Sequence, residues 1–338
     1  MKTVLLLFGG ESTEHEVSVA SAVNVSKAID TKKFELVYVY IDNNGAWWHV
    51  AEVGRNLSTD AKELLPILGK GSFIDKAGET IHPDVILPIL HGANGEDGSV
   101  QALGQLLHIP VVGCDMTSSA VAMNKFITKQ IAIANKIRVV PFLVHYGADS
   151  LPDYAEVTEK LGKTLFVKPG NAGSSVGVHK VTSEQELNEA LEDAHTYDDL
   201  VLIETAINAR ELEVAVLGNY PNIDVSKVSE IKPDREFYSF ESKYDESSAS
   251  EVVIPANISD EAAKELQLLA ARMFHLIGGS GLSRVDFFLD KETQDIYLNE
   301  INTIPGFTNI SVYPKAWENA GVSYVQLIER LITLALEK

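Results

Sequence analysis

The 338-residue chain has one cysteine, Cys114, so no disulfide can form within it. No apolar run comes near the ~20 residues of a membrane span. The run Val4–Phe8 is too short for the core of a secretion signal, and the acidic stretch 9–16 follows it. Positive charge is scarce: 28 Lys and Arg against 48 Asp and Glu leave a net charge of −20. Such a chain is repelled by phosphate backbones, which argues against general nucleic-acid binding. An anionic small substrate then needs a local basic pocket or a metal ion. No His/Cys cluster with zinc spacing occurs. No Gly-Lys-Ser/Thr opens a helix in the manner of a Walker loop. The first strand is not followed by Gly-x-Gly-x-x-Gly, which weighs against a nicotinamide-dependent oxidoreductase. The expectation is a soluble, cytoplasmic protein with no membrane or nucleic-acid partner.

Apolar residues make up 45% and charged residues 22%, so disordered, collagenous and coiled-coil chains are excluded. The length exceeds the ~250–300 residues of a single core, so two or three domains are expected. The run TVLLLF, ending at Gly9-Gly10, reads as a buried parallel strand. A helix over 15–29, a strand at FELVYVYID with a turn at Asn43-Asn44-Gly45, and a strand at DVILPIL follow. A helix at SVQALGQLLHI and a strand at PVVGC come next. This alternation predicts a parallel sheet wrapped on both faces, with ligand loops at the C-terminal strand ends. Two such loops, GGESTEHE and HGANGEDG, are rich in glycine and carboxylates. One long helix over 119–137 opens a second unit, which continues as strand, Gly-rich loop, strand, helix, strand. A third unit begins near Ala209 and carries a long polar loop at 238–250, a helix, two strands and a last helix. Polar loops of that length are functional or disordered.

Three segments carry chemistry. In LFVKPGNAGSSVGVHK, Gly170, Gly173 and Gly177 flank Ser174-Ser175 between two strands. Glycines let backbone N–H groups curl around phosphate oxygens, and Lys168 reaches the same place; a flexible hairpin is the competing reading. In the second segment, SRVDFFLD and LNEIN are joined by turn formers and read as a hairpin. Setting Asp286 opposite Glu300 puts Arg284 opposite Asn302, so two carboxylates and an amide oxygen share one face. Such hard oxygens suit Mg²⁺ beside substrate phosphates. Third, Pro305-Gly306 forms a tight turn whose backbone N–H can face an oxyanion, with Arg284 as the matching positive charge.

The segments GGESTEHEVS, HGANGEDG, AMNK, VKPGNAGSSVG, ESKY, SRVDFFL and LNEINTIPGFT stand in the order and at the spacing of D-alanine–D-alanine ligases. The chain resembles that family from about Val4 to about Val325. The resemblance implies an α/β ATP-grasp fold of three domains. These are an N-terminal doubly wound parallel-sheet domain (1–121) with the first-substrate loops, a central domain (122–212) with the phosphate loop, and a C-terminal domain (213–338) with a lid loop and the metal hairpin. It implies ATP-dependent joining of two D-alanines through an acyl phosphate, releasing ADP and phosphate, for peptidoglycan precursors. The cofactor expected is Mg²⁺ or Mn²⁺, two ions, and the assembly a homodimer.

The resemblance also assigns residues. Lys125, Lys168 and Lys243 hold ATP phosphates, together with the loop serines Ser174 and Ser175. Glu204, Thr205, Ala206 and Ile207 form the hinge that reads adenine, and Glu211 accepts from the ribose. Many relatives have Lys-Trp where this chain has Thr205-Ala206, so recognition there leans on the backbone. Glu14 receives the first D-alanine's ammonium, and His91 belongs to the same site. Ser174 and Tyr244 link to Glu14 as the 238–250 loop closes. Ser311 and Val312 bind the second substrate's carboxylate. Arg284 and Gly306 stabilise the oxyanion, and Asp286, Glu300 and Asn302 bind the metal.

Overall fold

A computed structural model describes residues 1–54, 57–173, 176–232 and 251–338. Ser174, Ser175, Lys243, Tyr244 and the proposed lid loop therefore lie outside the described residues. Three sheets organise the described residues. The first runs in the order β6-β5-β4-β3-β2-β1-β7. Its parallel part is β1 (Lys2–Gly9), β2 (Phe34–Ile41) and β7 (Val85–Ile89), with α1 (His15–Ala28) after β1 and α2 (Ser99–Leu107) after β7. The sheet is not wholly parallel as expected. β3 (Trp47–Val50), β4 (Lys62–Ile67), β5 (Ser72–Asp75) and β6 (Thr80–Ile81) extend it antiparallel. β3, β4 and β6 are largely half-buried or exposed and β5 has only four residues, so their sequence carries little of the apolar signal that marks β1.

The expected strand at PVVGC is a single bridge, Ile86 to Val111. Pro110 has no N–H to donate, and Gly113 turns the chain with φ +104. The expected single helix over 119–137 is two, α3 (Met116–Met123) and α4 (Lys125–Ala134). Asn124 separates them in an extended conformation, and its side chain accepts from the Ile127 N–H at 2.9 Å as an N-cap. The break puts Lys125 at the very start of α4.

The second sheet is antiparallel throughout, in the order β10-β9-β11-β8. Its strands are β8 (Phe142–Tyr146), β9 (Leu165–Pro169), β10 (His179–Val181) and β11 (Leu200–Thr205). The helices α5 (Tyr154–Leu161) and α6 (Glu184–Ala194) accompany it. Val157, Leu187 and Leu191 from these helices share a buried cluster with Leu165, Val167 and Val201.

The third sheet runs β15-β14-β12-β16-β17, with β13 on β12. Its central strands are β12 (Ala209–Asn219), β16 (Gly281–Asp290) and β17 (Ile296–Asn302). The flanking strands are β13 (Asn222–Val225), β14 (Ser229–Lys232) and β15 (Glu251–Val253). The helix α7 (Asp260–Leu276) covers one face through Leu266, Ala270 and Met273, which cluster with Val214, Val285 and Phe287. The last helices are α8 (Val312–Asn319) and α9 (Tyr324–Leu336). Leu327, Ile328 and Leu331 of α9 join Val4, Leu6 and Phe8 of β1 in one buried cluster that also takes in Phe307 and Tyr313. Each such side chain contributes about 1.5–3 kcal/mol by burial. The shared core fixes the first sheet's ligand loops against the third sheet. Among the described residues no helix is long and apolar enough to cross a membrane.

Candidate active site

Two cavities meet where the sheets converge. The larger, of about 840 Å³, lies between the two antiparallel sheets, with Phe166 and Lys168 on one side and Glu211, Phe288 and Asn299 on the other. The smaller, of about 90 Å³, is lined by Glu14, His91, Arg284, Glu300, Asn302, Gly306, Ser311 and Val312. Lys125, Ala172, Gly173 and Glu300 line both. One long space and one small polar space thus share a junction bearing a lysine, a carboxylate and part of the Gly-rich loop.

The small cavity is built from loops. β1 ends at Gly9, where a side chain would stand 2.2 Å from the Ile41 carbonyl oxygen, so only glycine fits. The turn delivers Glu14 to the start of α1, where its carboxylate sits between two bare backbones. A Cβ on Gly92 would meet its Oε2 at 2.9 Å, and one on Gly173 at 3.3 Å. His91 is buried. Its Nδ1 donates to the Ile304 carbonyl at 3.0 Å, which leaves Nε2 to accept from Ser21 Oγ at 3.1 Å. Burial pushes the imidazole's pKa down, so the ring is a neutral tie between the loop after β7 and the loop after β17. Ser21 also accepts from the Phe307 N–H at 3.3 Å, which steadies the turn at Gly306. At Gly306 itself a Cβ would come within 2.7 Å of Ser311 Oγ. Ser311 Oγ accepts from the Thr308 N–H at 3.0 Å and lies 2.7 Å from Thr308 Oγ1. Ser311 is the N-cap of α8 and lines the cavity with Val312, so the positive end of that helix lies at the cavity wall.

The β16–β17 hairpin has the expected register: Asp286 pairs with Glu300 and Arg284 with Asn302. The sequence did not reveal a bulge there. Phe287 pairs with Leu298, so Asn299 is an extra residue, and both Asn299 and Glu300 reach the large cavity. Lys125 Nζ stands 3.7 Å from Glu300 Oε2 and donates to the Ala172 carbonyl. Arg284 grips Asp286 through two bonds, Nε to Oδ1 at 2.8 Å and Nη2 to Oδ2 at 2.6 Å. Burial works against the Arg284 charge, but Asp286 and Glu213 outweigh it, and the guanidinium's pKa is raised well above its ordinary value. The donor set of Asp286, Glu300 and the Asn302 amide consists of hard oxygens and suits a small divalent cation. Asn302 Oδ1 also accepts from the Ile304 N–H at 3.1 Å.

Two carboxylates of the small cavity escaped the sequence reading. Glu213 pairs with Asp286 across β12 and β16, with Oε2 3.2 Å from Arg284 Nε. It lies two residues beyond Glu211, and that alternation was the available signal. Glu96, inside the HGANGEDG loop, is buried near Glu14. Burial, then the Glu14 charge, raises its pKa well above the usual carboxylate range. In the large cavity, Thr205 and Ala206 give their N–H groups to the carbonyls of Pro141 and Thr164, each at 3.0 Å. The Glu204 carboxylate lies between Lys129 and Lys168.

Family models described as D-ala D-ala ligase N-terminus and D-ala D-ala ligase C-terminus match residues 3–114 and 132–333. The chain belongs to the D-alanine–D-alanine ligase family. A D-alanine–D-alanine ligase of Caldicellulosiruptor bescii is 43% identical, covering 99% of this chain and 95% of its own length. One of Clostridium novyi is 42% identical over 100% and 98%. Among solved structures, the D-alanine–D-alanine ligase from Coxiella burnetii superposes with a TM-score of 0.86 at 33% identity, covering 100% of this chain and 96% of that one. VanG, a D-Ala:D-Ser ligase from Enterococcus faecalis, superposes with a TM-score of 0.89 at 36% identity over 99% of each chain. The ligase thus has the family's α/β ATP-grasp fold, with a mixed first sheet in place of the parallel one expected.

Proposed function

We propose that this ligase joins two D-alanines into D-alanyl-D-alanine at the expense of ATP, releasing ADP and phosphate for peptidoglycan precursor synthesis. The observation that carries the reading is the junction of a long cavity with a small polar one at Lys125, Gly173 and Glu300. ATP fits the long cavity with its terminal phosphate at the junction, and the amino acids fit the small one.

The first D-alanine sets its ammonium against Glu14 and its carboxylate towards the junction. A carboxylate oxygen attacks the γ-phosphorus and ADP leaves. The second D-alanine's amine attacks the carbonyl carbon of the acyl phosphate, gives up a proton, and expels phosphate. Arg284 and the Gly306 N–H face the oxygen that gains charge. The N-terminus of α8, at Ser311 and Val312, receives the second carboxylate. Lys125 and Lys168 hold phosphate oxygens. Glu211 takes the ribose, and the hinge 204–207 takes adenine through carbonyls and the Ile207 N–H, because the N–H groups of Thr205 and Ala206 are already used. Asp286, Glu300 and Asn302 would hold Mg²⁺ or Mn²⁺, two ions in all, which supply charge neutralisation for the phosphates. Roles for Ser174, Ser175, Lys243 and Tyr244 rest on the family resemblance alone, as do the domain limits 1–121, 122–212 and 213–338. A homodimer and a cytoplasmic location belong to the same proposal.

The test is mass spectrometry of the product made from ATP and D-alanine, with ADP release followed in parallel. A dipeptide of D-alanine and D-alanine-dependent ADP release are expected. ADP release without dipeptide would overturn the reading. The likeness to VanG favours D-serine as the second reading for the second substrate.

A further inference from the structure

Lys129, Glu204 and Lys168 lie buried side by side at one wall of the large cavity, and Lys129 has no role in the proposed function. Lys129 lies one turn beyond Lys125 on α4 and its side chain is 0% exposed. Its Nζ is 3.0 Å from Oε1 of Glu204 and 5.7 Å from the centre of the Phe142 ring. The other Glu204 oxygen, Oε2, is 2.8 Å from Nζ of Lys168. The strand register explains the arrangement. Lys168 pairs with Leu202 and Phe166 with Glu204, so Lys168 and Glu204 are diagonal neighbours on one face of the sheet. Lys168 and Glu204 line the cavity, whereas Lys129 stands behind them.

We infer that Lys129 is a positioning residue for Lys168, acting through the Glu204 carboxylate. A single carboxylate facing a single lysine would take that ammonium on both oxygens and cancel its charge. With Oε1 held by Lys129, only Oε2 is left for Lys168. The cluster of two ammoniums and one carboxylate then presents a net positive charge to the cavity. An anionic polyphosphate is the ligand that such an excess suits, in a chain whose overall charge of −20 repels it. Burial lowers the Lys129 pKa and the Glu204 charge opposes that, so the lysine depends on its partner to stay charged. Burial raises the Glu204 pKa, but the two lysines outweigh it and hold the group ionised.

The inference rests on the reading of Lys168 as a phosphate residue, so Lys168→Met is measured beside it. In Lys129→Met the cluster becomes neutral. The KM for ATP should rise about tenfold, equivalent to one decade of affinity, while the KM for D-alanine stays within about twofold. Lys129→Arg keeps the charge that holds Oε1, and its KM for ATP should stay within about threefold of the parent. A lysine that only fills space predicts the opposite, with the uncharged Met variant, closer to it in volume, the milder of the two. An unchanged KM for ATP in Lys129→Met, with a raised one in Lys168→Met, overturns the positioning role. An unchanged KM in Lys168→Met overturns the phosphate reading beneath it. If Lys129→Met does not fold, Lys129→Gln carries the test by equilibrium ATP binding. A loss of about tenfold supports the inference, and affinity within about twofold of the parent overturns it.

Discussion

Arg284 and Asp286, two residues apart on β16, hold each other through two parallel bonds of 2.8 and 2.6 Å. One is proposed to meet the substrate and the other the metal, so each occupies atoms that the other's ligand needs. Glu213, 3.2 Å from the same Nε, would keep the guanidinium anchored if Asp286 turned to a cation. Removing a charged hydrogen-bond partner costs about 1.5–3 kcal/mol, or roughly ten- to a hundredfold. Glu213→Gln should therefore lower kcat by about tenfold, with little change in the KM of the first D-alanine or in the Mg²⁺ concentration for half-maximal rate. Initial-rate kinetics with both variables titrated checks this. A shift in Mg²⁺ requirement alone would assign Glu213 to the metal.

Glu300 faces Asp286 across the hairpin and stands 3.7 Å from Lys125 Nζ. Glu300→Gln keeps the volume and removes the charge that offsets a divalent ion. The half-saturating Mg²⁺ concentration should rise about tenfold or more while the thermal midpoint moves by only a few degrees. Calorimetric titration of Mn²⁺ into the variant gives a readout independent of turnover. Parent-like Mn²⁺ binding would remove Glu300 from the ligand set.

Glu96 gives a pH prediction. Its folded-state pKa is raised, first by burial and then by Glu14. Stability from the neutral form is present below the unfolded value, ~4.3, and is lost as pH rises towards the folded one. Glu96→Gln mimics the protonated acid at every pH. The variant's melting temperature relative to the parent should therefore climb as pH is raised from 4.5 upward. A difference that stays flat from pH 4.5 to 8 would show that Glu96 titrates normally.

Legibility in the sequence followed the strength of the local pattern. The runs 4–8 and 85–89 are apolar on both faces and were readable as buried parallel strands. The hairpin register was readable because turn formers fix the hinge and carboxylates alternate beside it. The bulge at Asn299 was not, since an extra residue in one strand leaves no mark on alternation. The helix break at Asn124 was hidden because Asn is tolerated inside a helix, and its capping bond to Ile127 exists only once the chain has turned. Glu96 stood in a loop read as a ligand loop, and Lys129 in an amphipathic helix, but nothing in either stretch marks which charge is buried. Only their burial, against Glu14 in one case and Glu204 in the other, gives them a role.

The second substrate is the sharpest test of the small cavity. Its apolar lining includes Ala122, Met123, Ile310 and Val312, the last two flanking Ser311 in the chain. The Ser311 hydroxyl is already engaged with Thr308. A methyl side chain meets apolar surface there, whereas the hydroxyl of D-serine would lose water without a free partner among those side chains. An unmet hydroxyl costs about 1–3 kcal/mol, or roughly five- to a hundredfold in relative turnover. D-Lactate differs at the other end: it offers a hydroxyl where D-alanine offers an amine, the stronger nucleophile once deprotonated. D-Alanyl-D-alanine should therefore dominate when D-alanine, D-serine and D-lactate compete at equal concentration near pH 7. Val312→Ser, which adds a polar partner on the apolar wall, should move the ratio towards D-serine. Counting all three products by mass spectrometry decides the matter. A predominance of D-alanyl-D-serine in the parent would assign this chain the second-substrate preference in VanG's name, and a predominance of the ester would mean that the incoming amine is not what the site selects.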